Sequence, residues 1–130
     1  MSNQKITEYR THFKKGDVLL KEGETGTEII LPEKGVLDIF IQGKKVNSFE
    51  VAASQDFIGE VGAILGTPRT ATVVAATDCV ALCLPKMELE AVLKNAPSLG
   101  FKLVRSLCRK LLNSSSALAE FQLKSSTILE

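Results

Sequence analysis

The chain has 130 residues, 45% of them hydrophobic and 24% charged, and its 16 basic and 15 acidic residues leave a formal net charge of +1. This length accommodates one hydrophobic core, and the near-neutral charge argues against a nucleic-acid-binding protein. No apolar run approaches the roughly 20 residues of a membrane-spanning helix, and the polar start of the chain lacks a signal-peptide pattern. We therefore expect one cytoplasmic domain over residues 1–130, with no membrane segment.

The first two thirds of the chain predict short strands separated by turns that contain Gly, Asp or Asn. The predicted strands are Tyr9–Phe13, Asp17–Lys21, Glu28–Pro32, Val36–Gln42, Val46–Val51, Ala71–Ala76 and Cys79–Leu84. Pro32 has no backbone N–H to donate, so it belongs at a sheet edge or a bulge. Short strands at this spacing predict a closed antiparallel roll over residues 8–84 or so.

Helical signals begin at Pro85, and residues 85–122 or so predict two helices followed by a tail, 124–130. The first helix is expected to end at Asn95 and to turn Met87, Val92 and Leu93 toward the roll. The second is expected to start near Pro97 and to run at least to Asn113. The fold class is therefore mainly β with C-terminal helices.

The second predicted helix carries a heptad seam of mostly apolar residues. The seam consists of Val104, Leu107, Leu111, Ser114, Leu118 and Phe121. It could pack on the roll of the same chain, or it could pair with a second copy, and the pattern leaves both alternatives open.

No arrangement in the sequence predicts catalysis or a metal site. Cys79, Cys83 and Cys108 lack metal-ligand spacing and are interpreted as small core residues. Cys79 and Cys83 would lie about 13 Å apart on one strand, too far for a disulfide. His12 is the only histidine and is expected to be an exposed strand residue.

One stretch, Phe57–Thr72, does predict a ligand site. A one-turn helix near Gly59 would offer free backbone N–H groups to an anion, and Gly59 and Gly62 would allow close approach. Arg69 follows the turn and can bind the same anion, whereas an ionised Glu60 only accepts hydrogen bonds. A ribose phosphate would provide both the anion and the hydroxyl.

This stretch closely resembles the phosphate-binding cassette of the cyclic-nucleotide-binding domain family. Glu60 and Arg69 are nine positions apart, and residues 68–72 read Pro-Arg-Thr-Ala-Thr, as in the family. The resemblance extends from Phe13 to Phe121. It implies an antiparallel β-roll of the jelly-roll type, with a short cassette helix and two C-terminal helices, as in the catabolite activator protein and protein kinase A regulatory subunits. It also implies a stand-alone or excised module.

The resemblance further implies the roles of the site residues. Arg69 would neutralise a cyclic phosphate and be open to water without ligand, while Glu60 would bind the ribose 2′-hydroxyl. The remaining ligand-binding residues would be Gly59, Val61, Gly62, Thr70 and Ala71, with Ser114 and Ser115 at the base. The strands around Val46–Val51 and Ala71–Val73 would wall the pocket.

The expected function is a regulatory sensor that binds cAMP more readily than cGMP and moves its C-terminal helices in response. It would need no cofactor and would perform no catalysis. Its partners would be the cyclic nucleotide and either a second copy, paired through the second helix, or an output protein. The alternative is a structural or interaction module of the same fold that does not bind nucleotide.

Overall fold

A computed structural model describes residues 6–51 and 56–114 of the chain, without the side chain of Ser114. A 3-10 turn, Ile6–Tyr9, precedes the strands, and a second, Lys86–Glu88, separates the strands from the last two helices. The strands are β1 Arg10–Phe13, β2 Val18–Leu20, β3 Glu28–Lys34, β4 Val36–Ile41, β5 Lys44–Glu50, β6 Thr72–Ala75 and β7 Cys79–Pro85. The helices are α1 Glu60–Leu65, α2 Leu89–Asn95 and α3 Pro97–Ser114.

The strands form two antiparallel sheets, as the sequence predicted. One sheet has the order β1-β7-β3 and the other β2-β6-β4-β5. In β7, Leu82 and Leu84 pack with the helices, whereas Cys79 and Ala81 pack between the two sheets. This alternation divides the core into one cluster inside the roll and one beneath the helices.

Pro32 is located as its chemistry requires. It lies on β3, the last strand of its sheet, and the register with β7 shifts between Pro32 and Lys34. The edge and bulge prediction is therefore confirmed, although the strand continues to Lys34, where a turn was expected.

The first C-terminal helix differs from its prediction at its start. Pro85 ends β7, and Met87, in the following 3-10 turn, is 94% exposed, so its predicted contact with the roll is wrong. Val92 is buried and Leu93 packs against the core beneath the helices, as expected.

The long helix α3 has the predicted bounds, and within the predicted seam Leu107 packs against the core beneath the helices. Leu99, Leu103 and Ser106 are buried, whereas Val104 is 56% and Leu111 68% exposed. The alternative that the seam packs on the roll is therefore wrong for Val104 and Leu111. Pairing with a second copy stays a prediction, and Leu118, Phe121 and the tail lie outside the described residues.

The predictions for the three cysteines and for His12 are partly confirmed. Cys79 is buried and Cys83 half-buried, and burial raises the pKa of the Cys83 thiol. Cys108 is exposed, so its interpretation as a core residue is wrong, whereas His12 is exposed as predicted. Within the described ranges, no helix is long and apolar enough to span a membrane.

Candidate ligand-binding site

Helix α1 begins at a glycine that the site requires. Gly59 has φ 78°, and a Cβ there would lie 2.8 Å from Arg69 Nη1. Only glycine combines this left-handed conformation with this close approach. The N–H groups of the first turn of α1 have no acceptor within the helix, so they are available to an anion.

Arg69 is buried, with 8% of its surface exposed, so the prediction that it is open to water is wrong. Its Nη1 donates to Gly59 O at 2.6 Å and its Nη2 donates to Glu28 O at 3.0 Å. The loop between β2 and β3 covers the guanidinium, and a Cβ on Gly26 would lie only 2.6 Å from Nη2. Both acceptors are uncharged, so the positive charge of Arg69 remains available to an anion.

Glu60 is also buried, with 1% of its surface exposed, and its carboxylate is held by a residue that the sequence did not single out. Lys110 Nζ, on α3, lies 3.0 Å from Glu60 Oε1 and 2.9 Å from Oε2. Lys110 also donates to Phe57 O. No local signal could have revealed this role, because Lys110 is 50 positions from Glu60 and reaches it only when α3 packs on the roll.

These residues share a cavity of about 250 Å³. It is lined by Leu20, Ile39, Ile58, Gly59, Glu60, Val61, Gly62, Thr67, Pro68, Arg69, Thr70, Ala71, Val73 and Lys110. All seven residues predicted at the cassette line it, and their roles toward a ligand stay predictions.

Other parts of the predicted pocket differ. Val46–Val51 contributes no lining residue, and Val46 is 55% exposed, so that wall was assigned wrongly. Leu20, Ile39 and Ile58 form the apolar wall instead. The base contact predicted for Ser114 and Ser115 lies outside the described side chains.

The charges and the apolar wall suit different parts of one ligand. Two basic side chains, Arg69 and Lys110, and one acidic side chain, Glu60, line the cavity, which leaves an excess of one basic group to face a monoanion. Leu20, Ile39 and Val73 offer apolar surface to a ring. Within the described residues, no group of three His, Cys, Asp or Glu side chains could hold a metal ion.

Two polar contacts outside the cavity hold the N-terminal part of the fold. The Tyr9 hydroxyl donates to Glu88, which raises the pKa of Tyr9 to about 12. Arg10 donates to both carboxylate oxygens of Glu33, at 2.7 and 3.1 Å, which holds the pKa of Glu33 below its usual value.

The fold and the site define a class of protein: a β-roll in which a buried arginine, a buried glutamate and the start of a short helix surround one cavity. The family profile described as "Cyclic nucleotide-binding domain" matches residues 10–96. That match spans more than half of the chain, so the chain belongs to the cyclic-nucleotide-binding domain family.

Two relatives that match part of the chain are components of cyclic-nucleotide-dependent protein kinases. The cAMP-dependent protein kinase regulatory subunit of Debaryomyces hansenii is 36% identical over 74 residues, 57% of this chain and 16% of that protein. The cGMP-dependent protein kinase of Toxoplasma gondii is 38% identical over 65 residues, 50% of this chain and 6% of that protein. The chain thus spans less than a fifth of either relative, and it is a domain of the type that both contain.

Solved structures agree on the fold. The catabolite activator protein of Thermus thermophilus has a TM-score of 0.71 at 20% identity, covering 90% of this chain and 57% of that one. A cyclic nucleotide-binding domain from Methylobacillus flagellatus has a TM-score of 0.63 at 26% identity, covering 94% and 67%. The predicted roll with C-terminal helices is confirmed.

Proposed function

We propose that residues 1–130 act as one cytoplasmic sensor domain that binds cAMP in preference to cGMP and does not transform it. The observation that carries the proposal is the convergence of Arg69, Glu60 and Lys110, two of them buried, on one cavity. A buried glutamate and arginine that do not bond to each other need another reason to be placed together. A ribose cyclic phosphate provides that reason, because it has a monoanion and a free hydroxyl on one rigid ring system.

The phosphate would bind Arg69 and the N–H groups at the start of α1, those of Gly59, Val61 and Gly62. Two donors of Arg69 already bind carbonyl oxygens, and a guanidinium has five N–H groups, so donors remain for the phosphate. Thr70 and Ala71 line the cavity beside Arg69, where they would contact the phosphate or the base.

The 2′-hydroxyl would donate to Glu60. Each carboxylate oxygen has two lone pairs, so Glu60 can accept this bond while it also binds Lys110. Lys110 offsets the negative charge of Glu60, which would otherwise repel the phosphate.

Lys110 also supports the coupling of the site to the C-terminal helices. Its ammonium contacts the cavity and its backbone belongs to α3, so a ligand that changes the Glu60–Lys110 contact also acts on α3. The response would pass to a second copy or to an output protein at the outer face of α3, where Phe101 and Val104 are exposed.

One observation favours a second candidate, an interaction module that binds no nucleotide. Arg69 and Glu60 already have partners within the chain. In that case their contacts would serve only to hold the loop between β2 and β3 and helix α3 against α1.

Titration calorimetry of the purified chain with cAMP and cGMP separates these candidates. The sensor proposal expects both ligands to bind, with cAMP weakly favoured. It also expects chromatography to show that the ligand is chemically unchanged after incubation with the protein. Absence of heat and of competition with a fluorescent cyclic nucleotide would contradict the sensor proposal and leave the interaction module as the candidate. Turnover of the ligand would contradict the proposal that the domain is not an enzyme.

A further inference from the structure

One face of α3 bonds to the segment that leads into α1. Ser106, Arg109 and Lys110 are spaced i, i+3 and i+4, so their side chains lie on one side of the helix. Their partners lie within five consecutive positions of the chain: Asp56, Phe57 and Glu60. We name these three contacts the α3 clasp.

Two contacts of the α3 clasp lie outside the cavity. Arg109 Nε donates to Asp56 Oδ1 at 3.1 Å, and Arg109 Nη2 lies 2.8 Å from the same oxygen. The hydroxyl of Ser106, which is fully buried, accepts the backbone N–H of Phe57 at 3.1 Å. These two contacts hold the α3 backbone at Arg109, immediately before Lys110, and at Ser106, about one turn before it.

The third contact depends on the other two. Lysine carries its charge on a flexible stem, so the position of its ammonium depends on where its backbone is held. If α3 shifts away from Asp56 and Phe57, Lys110 loses its reach to Glu60. The buried carboxylate would then be left without its cation next to an incoming phosphate, which opposes binding.

We propose that Asp56 and Arg109 are positioning residues for the nucleotide site. Their ion pair, together with the bond from Phe57 to Ser106, holds Lys110 on Glu60 and thereby sets ligand affinity without touching the ligand. This inference rests on the proposed function. Because an ion pair with partly exposed side chains adds little to stability, the fold should persist without it.

A double-mutant cycle tests the proposal by calorimetric titration with cAMP. We expect Asp56→Asn to weaken binding about two- to fivefold, as for loss of one partly exposed ion pair, and Lys110→Met to weaken it about tenfold or more. In the Lys110→Met background, Asp56→Asn should have no further effect. Equal losses in both backgrounds would show that Asp56 does not act through Lys110 and would overturn the proposal.

Two further variants guard against a general loss of structure. Exchanging the pair, Asp56→Arg with Arg109→Asp, should restore most of the cAMP affinity that Asp56→Asn loses. The matched control is Glu33→Gln, which breaks another partly exposed ion pair, Arg10–Glu33, outside the cavity. It should leave affinity unchanged, and an equal loss there would also overturn the proposal.

A ligand-free measurement keeps this inference separate from the proposed function. The Phe57 amide, bonded to Ser106, should exchange its hydrogen faster in Asp56→Asn but not in Glu33→Gln, as followed by NMR. If the wild type binds no cyclic nucleotide, the proposed function fails, whereas faster exchange would still support the α3 clasp. Unchanged Phe57 exchange in Asp56→Asn would overturn the α3 clasp itself.

Discussion

The cassette, Phe57–Thr72, and helix α3 contribute facing sides of the same site, yet their sequences were informative in different ways. In the cassette, a fixed spacing placed Glu60 and Arg69 in one cavity, as predicted. In α3, the apolar repeat placed Leu107 correctly but also selected Val104 and Leu111, which are exposed, and it missed buried Ser106 and the cavity residue Lys110. The residues from Glu60 to Arg69 are close in sequence, so a local motif can mark them, whereas the inward face of a helix depends on what it packs against.

The largest expected effect tests which face of α3 is inward. Leu103 and Val104 are adjacent, with 8% and 56% of their surfaces exposed. Leu103→Ala should lower the free energy of unfolding by about 2–5 kcal/mol, because it leaves a cavity beneath the helices. Val104→Ala should change it by less than about 0.5 kcal/mol. Urea unfolding of both variants measures this, and similar losses would mean that α3 packs differently.

Arg69 tests the cassette side of the comparison. Arg69→Ala removes charge-assisted bonds to the phosphate and should weaken cyclic-nucleotide binding by about 2–4 kcal/mol. It also leaves Gly59 O and Glu28 O without their donor, which should destabilise the fold by about 1–3 kcal/mol. Calorimetry and thermal unfolding measure the two effects.

The matched control for Arg69 is Arg105→Ala, at an exposed arginine on α3. It should change neither quantity. An Arg69→Ala protein with wild-type affinity would refute the phosphate assignment.

Glu60 lies where the cassette meets α3, and its proposed bond to the ribose 2′-hydroxyl can be tested first by changing the ligand. A 2′-deoxy cyclic nucleotide lacks the hydroxyl that Glu60 would accept from, so binding should weaken by about 1–3 kcal/mol. Glu60→Ala should bind the ribose and deoxyribose ligands weakly and almost equally. Equal binding of both ligands by the wild type would contradict this role.

A substitution at Thr70 tests whether the cassette selects the base of the nucleotide. Thr70 lines the cavity, and its hydroxyl could bond to the amino group of guanine in a syn nucleotide. Thr70→Ala should therefore weaken cGMP binding by about 0.5–1.5 kcal/mol and leave cAMP binding unchanged. Parallel titrations test it: an equal loss for both ligands would remove Thr70 as a base-reading residue, and a cGMP preference above about a hundredfold would exclude cAMP as the favoured ligand.

The smallest effect concerns the partly exposed pair Arg10–Glu33, outside the cavity. Arg10 lowers the pKa of Glu33 in the folded protein, so the ionised form is stabilised by folding. This contribution is present above the unfolded pKa, about 4.3, and is lost as pH falls through the lower folded value. Arg10→Ala should slightly lower the melting temperature at pH 7, and the difference should shrink as the pH falls through the folded pKa of Glu33. A difference that persists in acid would point to packing by the arginine stem.

Local pattern determined much of this protein. The strands follow from the alternation of apolar residues and from the turn residues between them. Pro32 predicted its place at a sheet edge because it has no backbone N–H to donate. The cassette residues could be named because the nine-position spacing from Glu60 to Arg69 and the run at residues 68–72 match the family's motif, which lies in one short stretch of sequence.

Tertiary structure alone decided the contacts between distant parts of the chain. Glu28 O accepts from Arg69 across 41 positions, and this contact helps to bury an arginine expected to be open to water. Lys110 reaches Glu60 across 50 positions, and Arg109 reaches Asp56 across 53. No periodicity encodes such pairs, because they arise only when the burial of Leu99 and Leu103 presses α3 against the roll.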